Sequence, residues 1–226
     1  MPMKIIVTGH LRSGTMFLVK SLAINMGIEF KLIGGVNPAP DYLLLGHSKR
    51  FRERVLGNTI LKSHLMLEDI EALGDTFDGY VKIYIKRNVV DVMRSYYNVA
   101  KIGGSMFIGG KDRMEGVSFG EFIRQPNDHV FPYRGHKAYD RNRISFWKHH
   151  IENGLYATQV YYDDLLYDFE KTLTALAEEL SLPLKSYKRP KYCGVAPRTG
   201  KKKTIITDED MRFIEYEAAR EDFLCS

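Results

Sequence analysis

Three short stretches of this chain place anion-binding and proton-accepting side chains directly after apolar runs. The first is Gly9-His10-Leu11-Arg12-Ser13-Gly14-Thr15. An apolar run, Lys4–Val7, reads as a buried strand ahead of it. Phe17, Leu18, Leu22 and Met26 follow at helical spacing. Strand, glycine loop and helix N-terminus together aim backbone N–H groups and the positive end of a helix dipole at one point. That point suits an anion. Gly9 and Gly14 have the spacing of a Walker A loop, G-x-x-x-x-G-K-[ST], but Thr15 stands where the phosphate-reaching lysine belongs. Positive charge sits inside the loop instead, on Arg12. A plain strand-to-helix turn reads the same way in isolation, so the other segments must decide.

The second stretch is Asn58-Thr59-Ile60-Leu61-Lys62-Ser63-His64-Leu65. At a period of two, Lys62 and His64 fall on the same side of a strand. A histidine at the strand end can take a proton from a hydroxyl near neutral pH. Lys62 can hold negative charge that develops on a transferred group. A hydrogen-bonded histidine capping the next helix is the plain alternative. In the third stretch, Val81–Asn88 runs into Val89-Val90-Asp91-Val92-Met93-Arg94-Ser95-Tyr96-Tyr97. Arg87 ends the strand, and Ser95 lies about two helical turns later. A guanidinium fork and a neutral hydroxyl can meet on one phosphate. A surface arginine and an unrelated helix serine would give the same spacing.

These side chains need elements to position them. Strands are expected at Lys4–Thr8, Thr59–Lys62, Tyr80–Lys86 and Tyr156–Tyr161. Helices are expected at Gly14–Met26, Leu67–Leu73, Val89–Ala100, Lys137–Glu152, Leu165–Leu180 and Asp208–Asp222. Strand–helix alternation predicts an α/β fold, a mostly parallel central sheet with helices on both faces. Right-handed crossovers then bring the strand ends, and the chemistry, to one edge. The 226 residues suit a single domain spanning 1–226. Two excursions, 34–57 and 101–134, interrupt the alternation and read as lids or substrate walls. Residues 181–207 read as a loop.

Composition narrows the setting. Hydrophobic residues make up 44% of the chain, enough for a folded core. No apolar run approaches the roughly 20 residues that span a bilayer, and the N-terminus shows no signal pattern. Cys193 and Cys225 alone offer neither a disulfide framework nor metal-ligand spacing. A reducing, cytoplasmic setting and no metal are expected. The net charge of +5 is modest, with Lys201-Lys202-Lys203 as the one compact run. An anionic small molecule accounts for it without nucleic acid or membrane.

Taken together, the stretches resemble the sulfotransferases that use 3′-phosphoadenosine 5′-phosphosulfate (PAPS), particularly the cytosolic type. Leu11-Arg12-Ser13-Gly14-Thr15-Met16-Phe17-Leu18 resembles that family's phosphosulfate loop, P-K-S-G-T-T-W-L. Lys62-Ser63-His64-Leu65 resembles its K-T-H-L motif. Arg87 through Tyr97 resembles R-N-P-K-D-V-A-V-S-Y-Y. Phe146-Trp147 and Tyr161-Tyr162-Asp163-Asp164 resemble its helix–strand unit ending F-Y-E-D, and Arg198-Thr199-Gly200 resembles its R-K-G loop.

The resemblance implies a P-loop-like fold, PAPS as donor and 3′-phosphoadenosine 5′-phosphate (PAP) as product. The acceptor would be a small-molecule hydroxyl or amine. It implies His64 as general base, with Arg12 and Lys62 stabilising the transferred sulfuryl group. Arg12, Ser13, Gly14, Thr15 and Met16 would hold the 5′-phosphosulfate, with Tyr162 nearby. Arg87, Ser95, Arg198, Thr199 and Gly200 would hold the 3′-phosphate, with Lys201 as a further candidate. The chain departs from the family at Arg12, where a lysine is usual, at Met16, where a threonine is usual, and at Lys201–Lys203, which replaces a glycine-tryptophan continuation.

The rival reading is a magnesium-dependent P-loop kinase of small molecules, with Asp163-Asp164 imitating a Walker B carboxylate. The missing Walker lysine and the Arg87–Ser95 pair argue against it. A nucleic-acid binder using Lys49–Arg54 and Lys201–Lys203 is a weaker rival. His149 and His150 read as surface and packing residues. His47, His129 and His136 have no ligand spacing.

Overall fold

A computed structural model of the chain describes residues 3–28, 58–64, 66–72, 77–102, 114–126, 141–190 and 204–220. Four strands form its one described sheet: β1 Lys4–Thr8, β2 Thr59–Lys62, β3 Val81–Lys86 and β4 Thr158–Tyr161. They lie in the order β2-β1-β3-β4, and all three pairings are parallel. The helices are α1 Thr15–Met26, α2 Leu67–Ala72, α3 Val89–Lys101, α4 Phe119–Arg124, α5 Arg143–Asn153, α6 Tyr162–Tyr167, α7 Phe169–Leu180 and α8 Asp208–Ala219. No helix among the described residues is long and apolar enough to cross a membrane.

The described chain divides into two compact units, residues 1–87 with 150–199 and residues 88–149 with 200–226. The first holds the sheet. β1 and β2 carry the apolar runs Ile5–Val7 and Ile60–Leu61, as strands covered on both faces do. On one face, Ile5, Val7, Ile60, Ile83, Ile85 and Val160 meet Leu18 and Leu22 of α1 and Phe169, Leu173 and Leu176 of α7. On the other face, Tyr84 meets His150 at the end of α5 and the 3₁₀ turn Gly154–Tyr156. Asn25, wholly buried on α1, ties down the segment after α7. Its Nδ2 donates to the Lys188 carbonyl at 2.9 Å, and its Oδ1 accepts from Ser186 Oγ at 2.9 Å.

The second unit is an aromatic helical cluster. Asn88 caps α3, its Oδ1 accepting from Val90 N at 2.9 Å and Asp91 N at 3.4 Å. Tyr96 and Tyr97 are buried, as expected for aromatics on a helix, and both lie against Phe122 of α4. Arg143 of α5 stacks 4.1 Å over the Phe122 ring. An ion pair of 2.9 Å joins Arg124 to Asp210 of α8.

Most boundaries match the sequence reading, and the differences have local causes. β3 starts one residue late, and β4 starts at Thr158 because Gly154–Tyr156 forms a 3₁₀ turn. The helix expected over Leu165–Leu180 begins at Tyr162 and breaks at Asp168, whose φ of −118° and ψ of 49° leave the helical region. Within the 101–134 excursion, α4 was not expected. It is short, and a Ser118/Glu121 capping box sets its start. The 34–57 excursion lies outside the described residues.

Candidate active site

The order β2-β1-β3-β4 reverses direction between β1 and β3, and such a switch point opens a crevice at the carboxyl ends of the strands. The loop after β1 lies there. The Ser13 N–H donates to the His10 carbonyl at 3.0 Å and closes a tight turn. Arg12 takes a left-handed conformation, φ 69°, which costs energy for a side chain of its size. Gly14 follows at φ 103° and caps α1. A Cβ at Gly14 would stand 2.2 Å from the Tyr162 ring, so only glycine fits between loop and ring. The first-turn amides of α1, at Thr15 and half-buried Met16, have no intrahelical acceptor by construction.

Arg87, at the end of β3, reaches this loop. Its Nη1 donates to the Arg12 carbonyl at 3.2 Å, and its guanidinium lies 4.4 Å over the Tyr162 ring. Burial first, and the charge of Arg87 second, push the Arg12 guanidinium below its ordinary value, while Tyr162 acts the other way. Two guanidinium groups at one loop favour an anion between them. Ser13 Oγ and Arg87 Nε are buried and make no hydrogen bond among the described residues. Buried polar atoms normally have partners, so both mark places for a ligand oxygen.

On the other side of β1, β2 ends at Lys62, in register with Val7. His64 follows and is 8% exposed. Its Nδ1 lies 2.8 Å from the Gly9 carbonyl. A carbonyl only accepts, so Nδ1 carries the proton and Nε2 bears the ring's lone pair. Burial is the largest influence on this ring and the charge of Lys62 the next. They push His64 well below 6.5, against the Gly9 hydrogen bond, with His150 and His10 adding smaller downward effects. His64 is therefore a neutral imidazole at pH 7, in the tautomer that can take a proton at Nε2.

Behind His64 lies a group that sequence reading missed. Tyr84 donates its hydroxyl to His150 Nδ1 at 2.6 Å, and His150 Nε2 donates to the His64 carbonyl at 3.0 Å. His150 is 1% exposed, so of the surface and packing roles read for His149 and His150 it takes the packing one, with hydrogen bonds that the sequence did not foretell. Tyr84 carried the available signal. It is a polar-tipped ring in β3, on the face it shares with Lys82 and Lys86 and opposite Ile83 and Ile85, and a buried phenol needs a partner.

The first unit thus brings together Arg12, Ser13, Gly14, Thr15, Met16, Lys62, His64, Arg87 and Tyr162. Ser95 lies half-buried on α3, in the second unit. Arg198, Thr199 and Gly200 fall outside the described residues. Asp163 and Asp164 are exposed in the first turn of α6, away from the buried position a Walker B carboxylate takes at a strand end. A groove of about 850 Å³ in the second unit, lined by Tyr97, Phe119, Arg124, Thr204 and Asp210 among others, contains none of these residues.

No protein-family model matches the sequence. No curated protein matches it either. Among solved structures, mouse sulfotransferase SULT7A1 complexed with PAP aligns with a TM-score of 0.52 at 15% identity, covering 96% of this chain and 64% of that one. Retinol dehydratase in complex with androsterone and inactive cofactor PAP aligns with a TM-score of 0.41 at 16% identity, covering 96% and 65%. The chain spans just under two thirds of the length of either structure. It shares the fold of the mouse sulfotransferase.

Proposed function

We propose that this chain is a PAPS-dependent sulfotransferase. The observation that carries the reading is the pairing, at one sheet edge, of a doubly cationic anion loop with a neutral His64 whose tautomer is set by the Gly9 carbonyl. The fold shared with a PAP-bound sulfotransferase supports it.

The residues present fit the donor. Ser13 Oγ and the α1 N-terminal amides offer donors to a 5′-phosphate and its attached sulfonate. Arg12 supplies charge inside the loop, and Arg87, anchored through Nη1, keeps its buried Nε for a ligand oxygen. When bound, PAPS supplies an activated sulfuryl group. Our reading adds Arg87, Ser95, Arg198, Thr199 and Gly200 as the 3′-phosphate set. His64 Nε2 takes the proton from the acceptor hydroxyl or amine. Arg12 and Lys62 hold the negative charge that develops during in-line transfer, and fixed cations in a site shielded from water do this without reorganising.

The test is transfer of ³⁵S from labelled PAPS, in EDTA, to a panel of alcohols, phenols, amines and sugars. Transfer to at least one class is expected. No transfer to any acceptor, with magnesium-dependent phosphorylation from ATP, contradicts the reading. The exposed placement of Asp163 and Asp164 disfavours that kinase alternative.

A further inference from the structure

Neither donor binding nor proton abstraction accounts for the cluster behind His64. Tyr84 is wholly buried. Its ring lies flat on Gly154, where a Cβ would come within 2.6 Å. Its hydroxyl donates to His150 Nδ1, which leaves Nε2 as the N–H that donates to the His64 carbonyl. His64 in turn donates from Nδ1 to the Gly9 carbonyl. The base is thus held at both ends, its main chain by His150 and its ring by the loop. A third imidazole, His10, sits 5.7 Å from the His150 ring, edge to face. Among the described residues no group of three or more histidine, cysteine or acidic side chains is placed to hold a metal ion. The arrangement is a chain of hydrogen bonds with fixed directions.

We propose that His150, oriented by Tyr84, is a positioning residue for His64. It fixes the end of β2, so that His64 keeps Nδ1 on the Gly9 carbonyl and presents Nε2 for proton transfer. The inference rests on His64 acting as the base of the proposed sulfuryl transfer. Partners that orient a metal-ligating imidazole through its other ring nitrogen are worth about 10- to 100-fold. His150 acts on the main chain of His64 instead, so the lower end of that range is expected, and positioning within about half an ångström depends on such support.

The test uses the whole chain labelled with ¹⁵N, in which long-range ¹H–¹⁵N correlations report each imidazole tautomer. Wild type should show His64 as a single Nδ1–H form. Tyr84→Phe and His150→Leu should show a mixture of tautomers. They should also lower kcat about tenfold, with KM for PAPS and Kd for PAP within about twofold. His150→Gln retains an N–H donor near the position of Nε2 and should restore most of kcat. Thermal melts identify any variant that has not folded, and Tyr84→Phe, which loses one oxygen, serves if His150→Leu fails. Folded Tyr84→Phe and His150→Leu variants with the wild-type tautomer and kcat overturn the proposal, as does His150→Gln behaving like His150→Leu. If wild type transfers no sulfuryl group, the functional reading fails, and the tautomer readout alone decides the role of His150.

Discussion

His64 and Gly14 concentrate the chemistry at the scale of single residues. A positioned general base contributes about 100- to 10,000-fold in rate. His64→Ala should lower kcat by a factor in that range while PAP still binds, as steady-state kinetics and calorimetry together will report. Near-normal turnover would remove His64 as the base. The direction of its pKa adds a pH prediction. The buried ring sits well below 6.5 and is neutral above that value. The kcat profile should therefore stay flat as pH falls to 6.5 and decline only below it. Gly14→Ala would place a methyl 2.2 Å from the Tyr162 ring at φ 103°. Strain of about 1–3 kcal/mol in the loop should weaken PAP binding by about 5- to 150-fold, measured by calorimetry. The residue types at these positions were legible, because glycine, arginine and histidine after apolar runs are local signals. Their hydrogen bonds were not. His64 binds a backbone carbonyl 55 residues away, and any residue can supply a carbonyl.

Elements were legible where one local rule dominated. β1 and β2 are short apolar runs bounded by polar residues, and α1 begins after the Gly14 turn. The short helix α4 escaped because it depends on a capping box, which overrides helical periodicity within a turn, and the break at Asp168 escaped because no side-chain cap marks it. Capping also yields a prediction for α3, which carries Ser95. Asn88 satisfies two first-turn amides. Asn88→Ala should cost about 1 kcal/mol of stability, read from urea unfolding. An unchanged midpoint would mean that tertiary contacts alone hold the start of α3.

For the whole molecule, alternation of strands and helices foretold the parallel sheet and its covered faces. It could not foretell that one face would bury three imidazoles, since nothing local links His10, His64 and His150. Their burial couples stability to pH. Burial first, then the charge of His150, push His10 down to about 3, against a weaker upward effect from the Leu11 carbonyl. The unfolded chain binds a proton on His10 below 6.5, whereas the folded chain does not until about 3. Stability is therefore fully present above 6.5 and lost as pH falls through that window, by about 1.4 kcal/mol per pH unit for this group. Urea titrations across the window should show a steeper pH slope for wild type than for His10→Asn, and equal slopes would refute neutral burial.

On the proposed function, the edge of the sheet binds a nucleotide carrying both a 5′-phosphate and a 3′-phosphate. Calorimetric titration of the chain in EDTA with PAP, adenosine 5′-phosphate and ATP tests it most directly. Binding of PAP at least tenfold tighter than either of the other two is expected, since only PAP carries both phosphates. Equal affinity for PAP and adenosine 5′-phosphate, or a preference for ATP that appears on adding magnesium, would contradict it.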